Sequence, residues 1–312
     1  MAMGCIKTWV RLSVSGLFGL CFLIVPECSR GHDSPSTVIS KLTATMAHDG
    51  VSADLFFQRA CEFRAIRYYK RAAYDLTQAL ALDNSMVAAR LELARLQLQN
   101  SVDEKQFEAN SPLSGNPMET IAFLTSNTDS ATRTAAIALR GEIYMGKHQW
   151  KEAIDDFSVA LSSEPSLAWF IYRAEAQQEY GLYEDSISGL QEAYALTKSP
   201  VIRKALCDTL IAVAWQPPLD SSSSLNATAV NSYLEEASKI IEEELAGNRL
   251  KSSWQIRAGQ VLLLRGDSKN ARKEFLDAIE ELDDRLETPH PDPALVQDRA
   301  KAKALLAECM KT

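Results

Sequence analysis

Between Thr134 and Leu167 the chain reads TAAIALRGEIYMGKHQWKEAIDDFSVALSSEPSL, and its apolar and small residues fall at helical spacing twice over. Ile137, Gly141 and Tyr144 stand at i, i+4 and i+7, one face of a first helix. After a turn over Met145–Gln149, Trp150, Ala153, Phe157 and Ala160 do the same for a second helix, and Pro165 stops it. Small residues at Gly141, Ala153 and Ala160 let two antiparallel helices approach closely, and Tyr144, Trp150 and Phe157 fill the gaps left between them.

The same order returns elsewhere. Ala53–Met86 places Phe56, Ala60 and Phe63 on a first helix and Tyr69, Ala72, Leu76 and Ala79 on a second. Ala168–Ser199 repeats it with Phe170, Ala174, Gly181, Tyr183, Leu190 and Ala193, and Ser186 where a small Ala is usual. Ser252–Asp284 repeats it with Gly259, Leu262, Gly266, Ala271, Phe275 and Ala278. This succession of small, aromatic and proline positions at a ~34-residue period resembles the tetratricopeptide repeat family. The resemblance implies an all-α fold, an αα-hairpin repeat superhelix with a capping helix at its C-terminal end.

Two further units match by helix pairing around an insertion. Val87–Gln99 reads as a first helix, followed by a polar, turn-rich insertion Asn100–Pro117 and a short helix Met118–Thr125. Val201–Trp215 reads as another, followed by the low-complexity loop Gln216–Thr228 and a partner helix Val230–Ala246. The expected organisation is therefore a leader over 1–31, a polar tether or cap over 32–52 with a short helix Thr37–Ala47, and an array of about six helix pairs over 53–290. A capping helix then occupies 291–312, its apolar stripe formed by Leu295, Ala302, Leu305, Leu306 and Cys309.

Charge and cysteine usage narrow the function. The net charge is −8, and the leader carries Lys7, Arg11 and Arg30 against Glu27, so the rest of the chain is more acidic still. An acidic body without a basic patch argues against nucleic acid as a partner and against adhesion to an anionic membrane. Lys7 and Arg11 precede the apolar run Leu12–Val25, shorter than the ~20 residues of a membrane span and suited to a signal peptide. Three fates of that leader stay open: cleavage before His32, retention as an anchor through residues 12–25, and lipid attachment at Cys28. Each places the protein outside the cytoplasm, in a periplasmic or other extracytoplasmic space. Cys61, Cys207 and Cys309, the cysteines outside the leader, read as buried apolar residues rather than a disulfide framework.

No residue set suggests catalysis, a metal or a cofactor. His32, His48, His148 and His290 have no Cys or His at ligand spacing, and no phosphate loop, G-x-S-x-G or H-E-x-x-H occurs. The family resemblance implies instead that the first helices line a concave groove that holds a peptide or helix of a protein partner. Carried onto this chain, the groove positions are Arg64, Arg95, Glu142, Tyr172, Glu175, Gln178 and Gln260. The carboxylate-clamp subfamily, which grips chaperone C-termini with Lys and Asn, is not implied. Its positions hold Phe57, Leu91, Ala138, Ile171 and Ile256, then Cys61, Arg95, Glu142, Glu175 and Gln260. The expectation is a non-catalytic adaptor or scaffold. An accessory subunit of a membrane-bound or secreted enzyme complex is the first alternative, and an enzyme with an unrecognised site is the second.

Overall fold

The computed structural model describes residues 34–102, 112, 115–127, 129–216, 227–287 and 292–310. Among the described residues it is an all-α array of helix pairs, with fourteen helices and no strand. The chain divides into two compact units, Met1–Gly181 and Leu182–Thr312.

The first unit holds α1 (Pro35–Asp49), α2 (Ala53–Ala65), α3 (Tyr69–Leu82), α4 (Val87–Val102), α5 (Pro117–Asn127), α6 (Ser130–Gly146), α7 (Trp150–Ser163) and α8 (Leu167–Tyr180). Each packs on the next, and α6 also touches both α4 and α8, the other first helices flanking it. The second unit holds α9 (Tyr183–Thr197), α10 (Pro200–Ala214), α11 (Ala227–Gly247), α12 (Ser252–Leu264), α13 (Ser268–Leu286) and α14 (Pro293–Cys309). Here too neighbours pack in succession, while α12 touches α10 and α14.

Helix starts follow from local chemistry. Ser34, Ser52, Asp129, Ser199, Asp267 and Asp292 each accept a backbone N–H of the first turn, which satisfies a donor that the helix itself cannot. Pro35, Pro200 and Pro293 sit in the first turn, where the missing N–H costs nothing. The turn inside each pair is also shared. Arg67, His148, Gly181 and Gly266, at the same place in four repeats, all adopt the left-handed conformation. In three of them the next residue's N–H reaches back to the first helix: Tyr68 to Phe63, Gln149 to Tyr144 and Asp267 to Leu262. These bonds satisfy carbonyls at the helix end. Glycine takes this conformation freely, while Arg67 and His148 adopt it at a steric cost.

Packing inside a pair is a small-to-large fit. Gly141 lies against the ring of Phe157, and Gly259 against that of Phe275. In the first repeat the corresponding residues are Ala60 and Leu76, both fully buried in one core. A methyl on the first helix is thus matched by a smaller side chain on the second. Polar ties lie beside this contact. Arg59 donates from Nε (2.7 Å) and Nη2 (2.9 Å) to the two carboxylate oxygens of Asp75. Arg140 does the same to Asp156, with both bonds 2.8 Å. Arg59 also reaches Thr43 at 3.1 Å, which joins α1 to the first pair. At the other end Ala302 and Cys309 of α14 pack into the cores built on α13.

Two boundaries differ from the sequence expectation. Asn100–Val102 continue α4, because adding a residue to an existing helix is far easier than starting one. Pro117 opens α5 instead of closing the loop, since proline is well suited to a first helical position. The first insertion therefore lies within 103–116, and buried Gln97 anchors it by donating to the Pro112 carbonyl at 2.9 Å. The second is shortened by Ala227 and Thr228, which begin α11. The leader 1–31 with Leu12–Val25 and Cys28, along with His32 and His290, lies outside the described residues. Among the described residues no helix is long and apolar enough to cross a membrane.

The Gly–Phe contact sets a stability prediction. A Cβ at Gly259 would stand 2.4 Å from Phe275, whereas one at Gly141 would stand 3.0 Å from Phe157. Gly259→Ala should lower stability by about 1–3 kcal/mol through overpacking, which outweighs the ~1 kcal/mol of added helix propensity. Gly141→Ala, with the milder contact, should fall within about 1 kcal/mol of the parent. Thermal unfolding of the two variants side by side checks the order; equal effects would contradict the packing at Gly259.

Candidate protein-interaction face

Within each unit the first helices of successive pairs lie side by side, α4, α6 and α8 in one and α10, α12 and α14 in the other. Within the units, α3 packs on α2, α5 on α4, α7 on α6, α11 on α10 and α13 on α12. Small residues at the pair contact, left-handed turns at one fixed place and first helices in contact across pairs together settle the architecture. The chain has the tetratricopeptide-repeat fold.

A tetratricopeptide repeat protein from Parabacteroides merdae has the same fold, with a TM-score of 0.54 at 12% identity over 96% of this chain and 100% of that one. A thermophilic tetratricopeptide repeat protein from Thermus thermophilus is 18% identical over 68% of this chain and 100% of its own, with a TM-score of 0.44. No family model and no curated protein matches the sequence.

Within this fold the residues singled out from the sequence have different surroundings. Arg64 on α2 and Arg95 on α4 converge on Glu92, a carboxylate only 5% exposed; the Arg95 bond is 3.3 Å. Arg64 therefore joins neighbouring first helices, while Arg95 pairs with Glu92 within α4. Tyr172 is buried, its ring 5.7 Å from that of Phe157, so it belongs to the core of the central repeat. Glu142 is half-buried on α6. Gln178 donates from its amide to the Ala174 carbonyl of its own helix at 3.2 Å. One oxygen each of Glu175 and Gln260 is buried without a hydrogen-bond partner among the described residues. Cys61, Cys207 and Cys309 are buried thiols, and burial foremost pushes the Cys207 thiol pKa up to about 12.

The second unit adds a charged group that family positions did not pick out. Arg257 on α12 is 8% exposed and donates from Nη2 to Asp208 of α10 at 2.6 Å and from Nη1 to the Ser253 carbonyl at 2.6 Å. Its guanidinium lies 5.1 Å from the centre of the Trp254 ring. Burial alone would push the Asp208 carboxyl up, but Arg257, Lys301 and Lys204 hold it below the ordinary carboxylate range. The only hints in the sequence were Lys204 with Asp208 one turn apart on α10, and Asp298 with Lys301 on α14. Among the described residues, no group of three or more His, Cys, Asp or Glu side chains is placed to hold a metal ion.

Glu175 gives this face a pH dependence. Burial, and secondarily the charge of Glu179, pushes its carboxyl from 4.5 up to about 8. The folded state then keeps a proton that the unfolded chain releases at lower pH, so the associated stability is full below pH 4.5 and is lost as pH rises through about 8. Glu175→Gln keeps a neutral group at all pH values. The melting temperature of Glu175→Gln relative to the parent should therefore climb as pH is raised across that window, and a pH-independent difference would contradict the burial of this carboxyl.

Proposed function

We propose that this chain is a non-catalytic adaptor that holds a peptide or helix of a protein partner along its first-helix face, and that its leader exports it from the cytoplasm. The observation carrying the proposal is the set of unfilled hydrogen-bonding atoms on that face. A buried polar atom without a partner costs about 1–3 kcal/mol. Glu175 on α8 and Gln260 on α12 each leave such an oxygen. Both occupy the position in their repeats that also carries Arg95 and Glu142. Both side chains are half-buried, so an extended partner that turns these oxygens outward recovers this cost by donating its own N–H groups.

Cross-linked pull-downs test the reading, with the full chain as bait in an extract that includes the envelope fraction. A Glu142→Lys/Gln178→Lys variant runs beside the parent. A stoichiometric partner captured by the parent and lost by the variant, at unchanged melting temperature, is the expected result. Retention by both would move the contact to the insertions around 103–116 and 217–226. A sole partner that is itself an enzyme would identify the accessory-subunit role. Sequencing the N-terminus of the mature protein tests export, because an intact Met1 in a soluble cytoplasmic fraction would overturn it.

A further inference from the structure

The turn inside the first helix pair is basic and aromatic. Residues 64–74 read RAIRYYKRAAY, four cations and three tyrosines with no carboxylate. Arg64 turns inward to Glu92, while Arg67, Lys70 and Arg71 are exposed. Tyr68 and Tyr74 are exposed beside them, at 53% and 58%. The Arg71 guanidinium lies 5.5 Å from the centre of the Tyr68 ring, which stacks on Phe63 at 6.5 Å. Neither Arg67 nor Arg71 forms an ion pair among the described residues. Of the acids in neighbouring elements, Asp75 is taken by Arg59, Glu92 by Arg64 and Arg95, and Glu62 is buried; Asp33 and those of the first insertion lie outside the described residues. Arg67 is left-handed, at the place where Gly181 and Gly266 stand in later repeats, so a cationic side chain is kept there against a steric cost.

The chain enters the array at this same end. Arg59 of α2 donates both to Asp75 of α3 and to Thr43 of α1, which aligns the three helices at these residues. Short turns join them, so each runs antiparallel to the next. Pro35 stands eight residues before Thr43 and Arg67 eight after Arg59, so the start of α1 lies level with the Arg67 turn. Residues 26–33 separate Ser34, the cap of α1, from the apolar run over 12–25. That stretch can span at most ~30 Å. A leader held at a membrane therefore keeps the start of α1, and the turn level with it, within reach of the bilayer.

We propose that the 67–74 turn rests on an anionic lipid surface, with Arg67, Lys70 and Arg71 at the phosphates and Tyr68 and Tyr74 at headgroup level. This gives the adaptor a second surface, and it rests on the export reading only for where the leader lies. Tyrosine, apolar in its ring and polar at its hydroxyl, suits the boundary between headgroups and acyl chains, and each cation near an anionic leaflet adds to the attraction. The net charge of −8 pointed away from such a surface. Salt confines the influence of an exposed charge to about 10 Å at 0.1 M, so the residues that touch the surface decide. An acidic protein segment would satisfy the cations equally; entry of the leader at this end is what favours lipid.

Co-sedimentation of the full chain with vesicles tests this, comparing phosphatidylcholine alone with phosphatidylcholine containing phosphatidylglycerol. The parent should prefer the anionic vesicles, and the preference should shrink in 1 M salt. Arg67→Gly should weaken binding to the anionic vesicles about fivefold and leave binding to the neutral ones unchanged. Its melting temperature should be no lower than the parent's, because glycine takes the left-handed conformation freely. Arg67→Gly/Arg71→Gln should weaken anionic binding about twentyfold or more. Lys239→Gln/Lys303→Gln removes as much charge from exposed positions on α11 and α14 and should change nothing. No preference in the parent, no effect of Arg67→Gly, or an equal loss in the Lys239/Lys303 variant overturns the proposal. So does a parent that binds no vesicle but binds a labelled poly-glutamate peptide through Arg67, which would give the turn to an acidic protein segment. Intact Met1 in a soluble cytoplasmic fraction, with the vesicle preference kept, sinks the export reading alone, whereas loss of the preference sinks this inference alone.

Discussion

The approach of a first helix to its second helix, with Phe157 seated against Gly141 and Phe275 against Gly259, is the contact on which the array depends. It sets how closely each pair packs, and so how the next pair meets it. Ala60 with Leu76 reaches the same closeness by moving bulk from one side to the other. Interiors are packed like organic crystals, so the combined volume at such a contact is constrained more tightly than the identity of either residue.

Polar ties hold the register of these pairs. The bidentate Arg59–Asp75 and Arg140–Asp156 bonds lie beside the small-to-large contact in two repeats, with the carboxylates nearly buried. A buried charge is costly unless paired, so a slip of one helix along the other would strand both groups. Glu281 ties a later pair differently, accepting from the backbone of Lys251 and Ser252 at the start of α12. Several solutions to one geometric problem are what a repeat array permits, because each pair answers mainly to its neighbours.

The exposed edges of the first helices differ between the units. In the first, Arg64, Glu92 and Arg95 satisfy one another across α2 and α4, while Glu175 stays neutral because burial makes its charge costly. In the second, Arg257 pairs with Asp208, and the positive charges of Arg257, Lys301 and Lys204 favour that carboxylate's ionised form. The same scaffold therefore carries different charge arrangements along one chain.

The all-α repeat was legible in the sequence because it is a local property. Gly141, Tyr144, Trp150, Ala153 and Phe157 carry their period within one hairpin, and Ser or Asp caps with first-turn prolines locate most helix starts. Boundaries beside the insertions were less legible: Asn100 and Pro117 look like loop residues, but helix propagation and the suitability of proline at a first turn decided otherwise. The site was the least legible part. Family positions placed Tyr172 on the groove, while its ring completes the core against Phe157. They passed over Asp208, Arg257 and Lys301, because nothing in a linear pattern says that side chains this far apart come near one another. Helix type and pairing follow from residues within a few turns of one another, so the sequence by itself determined them. Which charges meet, which stay unpaired and which lose their proton depends on distances across stacked helices, and only the tertiary structure decided those.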